Sequence, residues 1–171
     1  EGDLARIVTE STGEITLHQV TPPFTLTAKA DRLDVRRDGG LVIIDYKTGK
    51  PPSSHDVTLG FSPQLPLEAA IAWQGGFKDV PAALVAALEF WHLKGGRDGS
   101  SVVLVKDQET KAIADPMVLA DDAYQGLIEL VQHFSSDDAA YMAAPRESFA
   151  LAFNDYAHLA RYAEWSNEGE A

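Results

Sequence analysis

At 171 residues, with 45 % apolar side chains and no cysteine, the chain has the size of one globular domain, and disulfides, thiolate-bound zinc and iron–sulfur clusters are excluded. No apolar run approaches the ~20 residues of a membrane helix and no signal-peptide pattern is present, so no membrane partner and a cytoplasmic location are expected. The net charge of -12 argues against a general nucleic-acid-coating protein, yet six of the fourteen basic residues (Lys29, Arg32, Arg36, Arg37, Lys47 and Lys50) fall between Lys29 and Lys50.

In chain order, residues 4–20 alternate as one or two short strands would, with Ser11-Thr12-Gly13 expected as a turn. Pro22-Pro23 interrupts pairing before a strand from Phe24 to about Val35. Arg37-Asp38-Gly39-Gly40 is a turn signal, and Leu41 to Lys47 begins as the continuous apolar run of a strand buried on both faces. Thr48 to Ser54 reads as a loop, since Pro51-Pro52 cannot continue a ladder. Gln64 to Trp73 reads as a helix with Pro66 in its first turn and Gly75-Gly76 ending it.

Ala83 to Leu93 and Ser101 to Lys106 are strand-like, the first ambiguous because of its alanines and leucines. Leu119 to Phe134 is an amphipathic helix, with Asp121 and Asp122 placed toward its positive end. Asp155 to Trp165 is expected to form a short closing helix. The order β-β-β-α-β-β-α predicts an α/β fold, a mixed sheet flanked by helices. One domain over 1–171 is expected, with an ordered core to 166, a frayed tail at 167–171, and a longer parent chain because Glu1 rather than methionine stands first.

The segment from Leu26 to Gly49 carries the chemistry. Asp45 and Lys47 are two apart on a strand, so their side chains leave one face. A carboxylate and an ammonium at the end of a buried strand are costly to place for packing alone. A two-residue loop at Asp38-Gly39 would set Asp31 across from Tyr46, on the wrong face. A three-residue loop Asp38-Gly39-Gly40 would pair Arg37 with Leu41, set Asp31 opposite Lys47 and leave it diagonal to Asp45, all on one face. That second register, or an equivalent bulge, is the expectation. Two carboxylates about 4 Å apart repel by roughly 4 kcal/mol at an effective dielectric of 20. Lys47 offsets part of this and a divalent cation much more. Oxygen ligands without sulfur point to Mg²⁺, or Mn²⁺ as substitute.

Asp31 followed by Asp45-Tyr46-Lys47-Thr48-Gly49 resembles the paired core motifs of RecB-like nucleases of the PD-(D/E)XK superfamily, and Gln64-Leu65 resembles that family's later glutamine motif. Ala30 to Asp34, Pro63 to Ala69, and His158-Leu159-Ala160-Arg161 with Glu164-Trp165 resemble the C-terminal nuclease domain of AddB-type subunits of the alphaproteobacterial kind. The resemblance implies a restriction-endonuclease-like fold and an Mg²⁺-dependent, ATP-coupled exonuclease within a helicase–nuclease that processes DNA double-strand breaks for recombination. It implies a single DNA strand and an AddA-type subunit as partners.

Asp31, Asp45 and the Tyr46 carbonyl would then bind metal and Lys47 would serve the attacking water. Gln64 would order the site or touch DNA, alongside Lys29, Arg32 and Lys50. The family adds a glutamate from an earlier strand, for which Glu10 is the candidate and Glu14 the rival. Glu68 stands where the glutamine motif usually has tyrosine. The N-terminal helix with a histidine has no counterpart, nor have the four cysteines that hold an iron–sulfur cluster in some AddB proteins. A catalytically inactive docking or strand-guiding module is the alternative.

Other signals are weaker. Thr48-Gly49-Lys50 fails as a phosphate loop, because the first glycine of that motif would fall at Ile44. His18, His55, His92, His133 and His158 lack ligand spacing, and Trp73, Trp91 and Trp165 are expected to pack, with base stacking the lesser alternative.

Overall fold

The computed structural model describes residues 3–95, 99–136 and 138–139. The closing helix expected at Asp155–Trp165 and the tail at 167–171 lie outside the described residues. The chain divides into two compact units, Glu1–Ser135 and Ser136–Ala171, and the sheet and its helices belong to the first.

Five strands form one sheet in the order β1-β2-β3-β4-β5. They are β1 (Leu4–Leu17), β2 (Phe24–Arg36), β3 (Leu41–Lys47), β4 (Val85–His92) and β5 (Ser101–Leu104). All neighbours are antiparallel except β3 and β4, which run parallel across the connection that carries α1 (Ser54–Thr58) and α2 (Gln64–Trp73). The helix α3 (Pro116–Phe134) follows β5. The sheet is therefore mixed and the class α/β, as expected.

Leu33, Leu41, Ile43, Leu65, Ile71 and Phe90 are fully buried where α2 meets the sheet, each contributing about 1.5–3 kcal/mol. Alanines at 69, 70 and 72 are buried too, and their small size lets α2 pack against both the strands and α3.

Three expectations need correction. Residues 4–20 form neither a short strand nor a pair split at Ser11-Thr12-Gly13: β1 is a single strand of 14 residues. Gly13 is a packing residue rather than a turn residue, because an added Cβ would lie 2.6 Å from the Phe77 ring. The segment after α2 returns along this stretch: Glu14 N donates to Gly76 O at 3.1 Å and Lys78 N to Thr12 O at 3.1 Å. Second, α3 starts earlier than Leu119. Asp115 caps it by accepting from Met117 N at 2.8 Å, and Asp121 and Asp122 stand exposed in the second turn. Third, the loop expected from Thr48 ends at Ser53, one residue early, where α1 opens with a reciprocal capping box between Ser53 and Asp56.

The β2–β3 hairpin has a three-residue loop, but one position earlier than expected. Arg36 N donates to Gly40 O at 2.9 Å, the loop is Arg37-Asp38-Gly39, and Gly39 takes the left-handed position at φ 87°. The register is Val35↔Leu41, Asp34↔Val42, Leu33↔Ile43 and Arg32↔Ile44. One more step would set Asp31 across from Asp45, not Lys47. Moving the whole loop by one residue changes the partner by two positions, so parity is kept and partner identity is not.

Candidate active site

The ladder between β2 and β3 ends at Arg32↔Ile44, and the site begins there. Ala30 and Leu33 are both buried in the core, yet they lie three steps apart, where strict alternation brings only residues an even number of steps apart to one face. The opposing strand is irregular at the same level: Glu10 has φ 56° and lies between the paired residues Thr9↔Arg32 and Ser11↔Ala30. With an irregularity in both strands, the register is preserved while the face changes. Asp31 thus sits at a kink, and its Oδ2 accepts from Tyr46 N at 2.9 Å, in place of a backbone carbonyl.

Asp45, on β3, is 3 % exposed. Its Oδ1 accepts from Gln64 Nε2 at 2.8 Å and from Lys47 Nζ at 3.1 Å. Its Oδ2 lies 2.8 Å from the same ammonium, but no aligned hydrogen bond reaches it. Gln64, at the first position of α2, also donates through Nε2 to Glu68 Oε1 at 3.3 Å and accepts weakly from Lys47 Nζ at 3.4 Å. One amide nitrogen therefore joins the carboxylates of Asp45 and Glu68.

Glu68 is 2 % exposed, and its Oε2 has no hydrogen-bond partner. Burial pushes its carboxyl up to about 7; the Gln64 amide and Lys47 pull it down, and the charges of Asp45 and Asp31 push it further up. The motif comparison marks Glu68 only as a departure and gives it no role. Two signals in the sequence point to it all the same. It is four residues from Gln64, hence on the same helix face, and it is the lone acid among Leu65, Ala69, Ala70, Ile71 and Ala72.

The structure joins Asp45, Lys47 and Gln64 directly, holds Asp31 next to them on the Tyr46 amide, and leaves other candidates out. Lys47 turns to Asp45 and Gln64 rather than facing Asp31 as expected, because the shifted register removes that pairing. The Glu10 carboxylate forms an exposed ion pair with Lys29, and Glu14 pairs with Thr27 along the strand, so neither joins the carboxylate group. Arg32 points to the opposite face, where its guanidinium is taken up by both Asp34 oxygens at 2.6 and 2.8 Å and lies 4.9 Å over the Trp91 ring. The Asp34 hydrogen bond, above all, raises the Arg32 pKa. Lys50 is exposed, and Lys29 and Lys78 line an open groove of about 700 Å³ beside Gly13 and Gly76. Trp91 packs edge-on to Tyr46 at 5.8 Å, while Trp73, contrary to expectation, is 47 % exposed.

Among the described residues no three His, Asp or Glu side chains converge into a ready metal cage. The donor chemistry nevertheless suits a hard cation: two buried carboxylate oxygens, Asp45 Oδ2 and Glu68 Oε2, lack hydrogen bonds in a group whose members repel one another.

The fold and this strand-borne Asp-x-Lys pair agree with a comparison to known families. The PD-(D/E)XK nuclease superfamily matches residues 3–168, and the chain belongs to that superfamily. Its five-stranded mixed sheet with helices is the restriction-endonuclease-like α/β fold of those enzymes, which generally use divalent metal ions. Among relatives, an uncharacterized protein of Rickettsia bellii is 24 % identical over 160 residues, 90 % of this chain and 19 % of its own length. Uncharacterized proteins of Rickettsia conorii and Rickettsia typhi are 35 % identical over 68 residues and 29 % over 89, covering 40 % and 52 % of this chain and 8 % and 10 % of theirs. The chain thus spans a fifth or less of the relatives it matches. No described helix is long and apolar enough to cross a membrane.

Proposed function

We propose that this domain is an Mg²⁺-dependent deoxyribonuclease, with Mn²⁺ as substitute, acting within an AddAB-type helicase–nuclease that processes double-strand breaks for homologous recombination. The observation that carries the reading is the grouping of Asp45, Lys47 and Gln64 where β3 meets α2, with Asp31 held beside them on the Tyr46 amide and an Asp45 oxygen buried and lacking a hydrogen bond. The break-repair setting and an AddA-type partner rest on the sequence resemblance, in keeping with relatives several times longer than this chain.

Asp31 and Asp45, with the Tyr46 carbonyl as a further oxygen, would hold the metal. The metal would polarise a phosphodiester and lower the pKa of a bound water. Lys47 sits beside the buried Asp45 with its ammonium part-exposed, so it can orient that water and offset charge that grows on the phosphate. Gln64 holds Asp45 and Lys47 in relation to each other through two hydrogen bonds. Lys29, Lys78 and Lys50 supply local positive charge on an acidic chain, so binding to a single DNA strand should be weak and salt-sensitive.

One observation favours a second reading, a nuclease-like module that guides or docks without cutting. Lys47 and Gln64 both sit on the Asp45 carboxylate that a cation would need. Mg²⁺-dependent cleavage of single-stranded DNA separates the two. The nuclease reading predicts cleavage that Asp45→Ala lowers by a factor on the order of 10³ or more; equal activity of both proteins, or none in either, contradicts it.

A further inference from the structure

We propose that Glu68 is the third carboxylate of the cation site, supplied from the helix α2 rather than from the first strand. This rests on the reading of the site as cation-dependent. The first strand's acids are occupied elsewhere: Glu10 is exposed and ion-paired with Lys29, and Glu14 lies farther along β1 opposite Thr27.

Glu68 has the opposite character. It is 2 % exposed on a helix whose other buried side chains are all apolar, and such a position tolerates an acid only where partners meet it. Oε1 shares the Gln64 amide nitrogen with Asp45, while Oε2 is buried and has no hydrogen bond. Asp45 Oδ2 is likewise buried without an aligned hydrogen bond, although the Lys47 ammonium lies 2.8 Å from it. Two carboxylates tethered through one amide, each keeping an oxygen without a hydrogen bond, form the kind of oxygen pair a divalent cation satisfies and a water-filled surface cluster does not. Gln64 gains a definite duty in this arrangement. By donating to both carboxylates it sets the spacing between the strand-borne and helix-borne ligands.

The test is Mn²⁺ binding by the 171-residue chain, followed by electron paramagnetic resonance of free Mn²⁺ and by the Mn²⁺-induced rise in melting temperature. Wild type, Glu68→Gln, Glu68→Asp and Asp45→Asn are compared, with metal-free circular dichroism as the check on folding. Glu68→Gln keeps the shape of the side chain and removes its charge, so the metal-free fold should persist. Binding at least tenfold weaker in Glu68→Gln, with Glu68→Asp intermediate, is the expected result. Unchanged or tighter binding in Glu68→Gln, while Asp45→Asn still abolishes it, overturns the role of Glu68 and leaves the nuclease reading standing. Mn²⁺ binding that is indifferent to Asp45→Asn overturns both.

Discussion

The two faces of the central strands carry charge in opposite ways. On one, Arg32 gives both arms of its guanidinium to Asp34 and lies over Trp91, with the Arg32 and Asp34 side chains only 18 % and 14 % exposed. On the other, Asp45 and Glu68 are buried with an oxygen apiece outside any hydrogen bond, and Lys47 and Gln64 serve them only in part. Both arrangements lie within a few residues of the same strand ends. A satisfied pair holds structure in place, whereas an unsatisfied group of like charges stores repulsion that a ligand can relieve. The contrast separates a structural cluster from a functional one without reference to motif.

Breaking the satisfied face should harm folding and spare the site. Arg32→Met leaves Asp34 half-buried without its partner and should lower stability by about 3 kcal/mol in chemical unfolding, with Mn²⁺ affinity unchanged. Loss of Mn²⁺ binding at retained stability would show that the two faces are not independent.

On the unsatisfied face, pH is the probe. The Glu68 carboxyl is raised from 4.5 to about 7, burial being the largest cause, so the folded state holds this proton more tightly than the unfolded state. Its contribution is fully present below about pH 4.5 and is lost as pH rises through 7. In metal-free buffer the wild type should therefore lose about 3 kcal/mol relative to Glu68→Gln as pH rises from 4.5 through 7. Parallel stability curves for the two proteins would show that the Glu68 carboxyl is not raised in the folded state.

Glu10→Gln should do least. The pair with Lys29 is exposed, and its loss should change stability by less than about 1 kcal/mol and leave Mn²⁺ affinity alone.

Much of this is legible in the sequence. The strand pattern, the buried β3, the helix opening at Gln64 and the common face of Asp45 and Lys47 all follow from local periodicity, which survives folding intact. The rest depends on choices that neighbours make. Gly39 and Gly40 can each take the left-handed turn position, so composition cannot choose between loops one residue apart, and the expected partner of Asp31 is wrong by two positions. Gly13 reads as a turn because nothing in β1 reveals that Phe77 will lie against it. Alternation puts Asp31 on the site face by the wrong route, since the face change at Glu10 and Asp31 involves both strands at once. Glu68 stands out in the sequence analysis only as a departure from the motif, because a glutamate on a helix is ordinarily solvated; its apolar neighbours signal burial, and the packing of α2 against the sheet and α3 supplies it.

The central claim is that these strand ends and the first turns of α2 hold a cation. Anomalous scattering from a crystal grown or soaked in Mn²⁺ tests it most directly. A peak bonded to Asp31 and Asp45, with Glu68 as a further ligand, is the predicted result. A peak elsewhere, or none while Lys47 keeps its contact with Asp45, would contradict it.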